Sequence, residues 1–112
     1  MSINEKIERT LSGICTDIWP DVCPEENGPD EYITYNSEMQ SAEVFADDVD
    51  QEWVYYLQIH YFTKGNYLEK RKEIRSALRE QGFLVTDIQP MYEKDTRYYH
   101  LVFSCQIEES EE

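Results

Sequence analysis

The chain has 112 residues, enough for one domain and too few for two independent cores. Apolar residues make up 40% and aromatics 13%, which argues against a disordered chain despite 30% charged residues. The formal net charge of −14 argues against a nucleic-acid or anionic-membrane binder, since both gain affinity by meeting phosphates with Lys and Arg.

The apolar run from Trp53 to Phe62 is interrupted by Gln58 and His60, well short of the roughly 20 residues of a membrane span. The start, Met1 to Lys6, lacks the basic flank and apolar centre of a signal peptide, so the expectation is a soluble intracellular protein. Cys15, Cys23 and Cys105 are odd in number and none has a CxxC partner, which reads as free thiols in a reducing compartment.

The chain opens on an amphipathic helix, with Ile3, Ile7, Leu11 and Ile14 on one face and Ser2 and Glu5 at capping-box spacing. Gly13 and Pro20 limit it. Residues 19–31, with Pro20, Pro24, Gly28 and Pro29 among acids, read as an irregular acidic loop. Tyr32 to Tyr35 and Ala42 to Ala46 read as two short strands, with the polar residues Asn36 to Ser41 as a hairpin turn between them. Asp47, Asp48 and Asp50 end the second. Trp53 to Thr63 is the strongest strand, with Trp53, Tyr55, Leu57, Ile59 and Tyr61 on the expected core face.

Asn66 to Gln81 reads as a helix with Asn66 at its N-cap and Glu69 three residues on. Gly82 stops it, and Phe83 stands where a Schellman turn folds back onto Leu78. Phe83 to Ile88 reads as a short strand closed by Pro90, and Glu93 to Thr96 as a turn. Arg97 to Ile107 alternates like the Trp53 strand, so the two are expected as central neighbours. Residues 108–112 read as an acidic tail. The expected fold is α+β: one domain, 1–112, holding a largely antiparallel sheet of about five strands with two helices on one face, in the order α-β-β-β-α-β-β.

Chemistry is sparse. His60 and His100 fall on the less apolar faces of their strands, where they could approach each other, but no cysteine joins them to complete a zinc set. Asp47, Asp48, Asp50 and Glu52 have calcium-loop spacing but lack the glycine such a loop requires. No nucleophile elbow, Walker loop or dinucleotide turn is present, and Cys105 is expected to face the core as an inert thiol. Neither catalytic residues, a cofactor nor a metal is expected.

Charge placement is more informative. Of ten basic residues, Lys70, Arg71, Lys72, Arg75 and Arg79 fall in one ten-residue stretch, while most of the acids lie elsewhere. The cations either pair locally with Glu69, Glu73 and Glu80 or meet carboxylates on a partner. Arg71, Lys72, Arg75 and Arg79, with Asp47 and Asp48, are thus the candidate subunit-interface residues.

In order and spacing, several segments resemble the tail-completion or tail terminator (head-to-tail joining) proteins of long-tailed phages and prophages. They are Tyr32 to Asn36, Phe45 to Asp48, Gln58 to Phe62, Asn66 to Lys70, Ile74-Arg75, Leu78, Gly82-Phe83 and His100 to Phe103. The resemblance covers residues 3–108, with the Cys15 to Cys23 segment unmatched. It implies a non-enzymatic virion protein at the head–tail junction, made in the host cytoplasm and forming a ring, typically a hexamer. Such a ring caps the tail tube, docks to the head connector or stopper protein, and lets DNA pass without specific binding. An acidic lumen would suit that passage. The rival reading is an acidic DNA mimic that inhibits a DNA-binding enzyme, which a basic helix would spoil.

Overall fold

The computed structural model describes residues 3–21, 29–44 and 51–111. It consists of α1 (Ile3–Leu11), β1 (Ile18–Pro20), β2 (Glu31–Val44), β3 (Gln51–Thr63), α2 (Leu68–Glu80), β4 (Leu84–Tyr92) and β5 (Tyr99–Glu111). The strands form one sheet in the order β1-β2-β3-β5-β4. All neighbours are antiparallel except β1, which runs parallel to β2. The α+β class and the adjacency of the two alternating strands are as expected.

Both helices cover the same face. Ile7 and Leu11 from α1 and Ile74 and Leu78 from α2 are fully buried against Ile33, Ile59, Tyr61, Leu101 and Phe103. Their alternate placement on three adjacent strands supplies a continuous apolar sheet face, which the stripe of each helix removes from water. Lys70 on α2 ties the helices together by donating from Nζ to the Ile14 carbonyl at 3.1 Å, just past the end of α1.

The helix ends follow from local chemistry. α2 starts at Leu68, with Tyr67 rather than the expected Asn66 at its N-cap, although Asn66 Oδ1 still accepts from the Leu68 amide at 3.0 Å and so satisfies one donor of the first turn. At the other end Gly82 has φ +90, and the Phe83 and Gly82 amides donate to the carbonyls of Leu78 and Arg79. This is the Schellman pattern expected from Gly82-Phe83, and it drops Phe83 into the core.

Three expectations are corrected. Asn36 to Ser41 is not a turn: β2 runs unbroken from Glu31 to Val44, with one bulge between Ser37 and Met39. Pairing along the whole of β3 satisfies its backbone and overrides the weak preference of the polar residues. The loop expected over 19–31 begins with Trp19 and Pro20 in strand β1, which pair with Thr34 and Tyr35, and ends at Glu31 in β2. Finally, Glu108 to Glu111 continue β5, paired with Val54 to Gln51, where a tail was expected.

Candidate functional site

Helix α2 buries only Ile74 and Leu78 completely, and its outer side carries the cations. Lys72, Arg75 and Arg79 are exposed and Arg71 half-buried. Arg71, Arg75 and Arg79 follow at i, i+4 and i+8, so their like charges stack along one side, an arrangement that does not help the isolated helix. Local neutralisation by Glu69, Glu73 and Glu80 does not occur at these residues. Lys70 meets Glu73 at 3.7 Å, but no ion pair involves Arg71, Lys72, Arg75 or Arg79 among the described residues. Asp47 and Asp48 lie outside the described residues.

Beside the cations lies a groove between α2 and β4. It is lined by Leu68, Arg71, Lys72 and Arg75 on the helix side and by Val85, Thr86 and Asp87 on the strand side. β4 is the outermost strand, paired only with β5 among the described residues. It runs through Pro90 to Tyr92, beyond the expected end at Ile88. The apolar side chains Leu84, Met91 and Tyr92 are 56%, 45% and 52% exposed along it. Tyr92 stacks at a tilt on Tyr99, which in turn touches Tyr67 before α2. A cationic row thus flanks an open, partly apolar sheet edge. Sequence reasoning found the row but not the edge; Pro90 was the available signal, because proline in a strand is confined to sheet edges and bulges.

The opposite face of the sheet holds the histidines. His60 Nδ1 lies 2.8 Å from His100 Nε2, so one ring donates and the other accepts. Phe62 stacks on His100 with centroids 4.1 Å apart. Burial, and then the neighbouring His60, lower His100 to about 4. Glu93 Oε1 is 3.7 Å from His100 Nδ1, a polar contact with a neutral ring rather than an ion pair at neutral pH. Among the described residues no group of three or more His, Cys, Asp or Glu side chains is placed to hold a metal ion. Cys15 and Cys105 are free and buried, and burial pushes their thiols up to about 11 and about 12, which suppresses the reactive thiolate. Cys23 lies outside the described residues.

No family model and no curated relative matches the chain in sequence. In fold it is similar to a chain from the virion of a native gene transfer agent (GTA) particle, with a TM-score of 0.59. That likeness covers 96% of this chain and 91% of the other at 11% identity. What the two share is the fold.

Proposed function

We propose that this chain is a non-enzymatic structural protein of a phage-like virion. More finely, it is a tail terminator: copies close into a ring that caps the tail tube and joins it to the head connector.

 The observation that carries this reading is the cationic row of α2, without an ion partner among the described residues, beside the exposed β4 on a chain of net charge −14. Exposed arginines stay solvated in the single copy, and a neighbour's carboxylates would meet them with forked, charge-assisted bonds. A heterologous contact of this kind, basic patch against acidic patch, generates a ring when the rotation closes. The likeness in fold to a chain of a virion particle supports the same reading. So does the acidity, because DNA leaving a head slides past an acidic wall and sticks to a basic one.

The test is incubation of the purified chain with uncapped tail tubes, followed by electron microscopy and light scattering. The expected result is a terminal ring on each tube and no binding of free DNA. A chain that stays solitary in the presence of tubes overturns the proposal.

A further inference from the structure

Among the described residues the sheet has a second uncovered edge. β1 covers β2 only at Ile33, Thr34 and Tyr35. From Asn36 to Val44, β2 is paired with β3 alone among the described residues. This edge and β4 lie at opposite ends of the strand order, and each is nine residues long. Unpaired edge strands are templates for strand addition, and proteins normally blunt them. Here Pro90 and the bulge between Val85 and Asp87 interrupt β4 without covering it.

We propose that β4 of one copy pairs with residues 36–44 of β2 in the next copy, so that the sheets of successive subunits join into one. This rests on the ring-forming reading above and names the surfaces that form the ring. Two observations select a second copy as the occupant. The two edges face opposite ways, so the contact is head-to-tail and propagates from copy to copy. The strand directions suit it: β2 and β4 run antiparallel to each other within the sheet, so a neighbour turned about an axis along the strands presents β2 antiparallel to β4.

The register adds a geometric consequence. Through Phe103 and Ile59, Ile88 at the middle of β4 lies level with Tyr35, five residues before Gln40 at the middle of the free stretch. One of those five is the bulge residue, so Gln40 stands opposite Tyr55, four residues along β3 from Ile59, and pairing staggers each copy by about 13 Å, at ~3.3 Å per residue. A constant stagger at every joint is what a closed sheet of tilted strands requires, whereas level pairing would drive β4 into β1.

The experiment places one cysteine on each edge, Gln40→Cys and Gln89→Cys, and treats the protein with a short bifunctional thiol reagent. Tail tubes are present, and the unsubstituted chain sets the background from its own thiols. Circular dichroism establishes that the variant is folded. The expected result is a covalent ladder of multimers from the double variant, and single cross-linked dimers from a mixture of the two single variants. Rings visible by microscopy without a ladder overturn this interface and leave the ring-forming reading intact. Absence of both rings and ladder overturns both.

Discussion

The two helices have similar lengths of apolar stripe but different outer faces. α1 is spent on the fold: Ile7 and Leu11 are fully buried, and Lys6 on its side reaches over the Phe83 ring, 5.9 Å from its centroid. α2 buries the same number of side chains completely, Ile74 and Leu78, yet carries a row of cations with no ion partner among the described residues. The contrast separates two kinds of residue on one scaffold. Apolar positions of either helix hold the chain together, while the cations of α2 add little to its own stability and remain available to a neighbour.

That separation can be broken by mutation. The largest effect belongs to the shared core: Leu11→Ala and Leu78→Ala should each cost about 2–5 kcal/mol in urea unfolding, because each opens a cavity in a closed apolar layer. A large loss for Leu78 alone would mean that α1 is less integral than its burial implies.

Next is acid sensitivity. His100 is lowered to about 4 from an unfolded value near 6.5, so between these the unfolded chain binds the extra proton and the native chain does not. Stability should therefore fall as pH drops from about 6.5 to about 4, by on the order of 1–3 kcal/mol, and level off below. His100→Asn should flatten that part of the pH profile of the unfolding midpoint.

A smaller effect is expected at the end of α2. Gly82→Ala places a side chain at φ +90 and should cost about 1 kcal/mol by thermal unfolding, with the fold unchanged. Smallest of all on stability is Arg75→Glu, within about 0.5 kcal/mol of the parent because the residue is exposed and has no ion partner among the described residues. The same variant should lose ring formation on tail tubes. Intact rings in that variant would return α2 to the status of α1, a helix whose business is the fold alone.

Where a structural signal is local, it was legible in the chain. The end of α2 was readable from Gly82 and Phe83, because a left-handed residue followed by an apolar one is a device a few residues long. The faces of β3 and β5 were readable from alternation, since one side of each must be buried. The approach of His60 to His100 followed from the same alternation, but their direct hydrogen bond did not, because it depends on the register between two strands distant in sequence.

The sequence by itself determined the helices, the core face of the long strands and the clustering of cations at Lys70 to Arg79, all of which are set within a turn or two of chain. Only the tertiary structure decided that residues 31–44 form one strand and that, among the described residues, β4 lies outermost and the arginines of α2 meet no carboxylate. The reason is physical. A polar segment such as Asn36 to Ser41 satisfies its backbone equally well in a turn or in a ladder, and the choice falls to the partner strand that folding brings beside it.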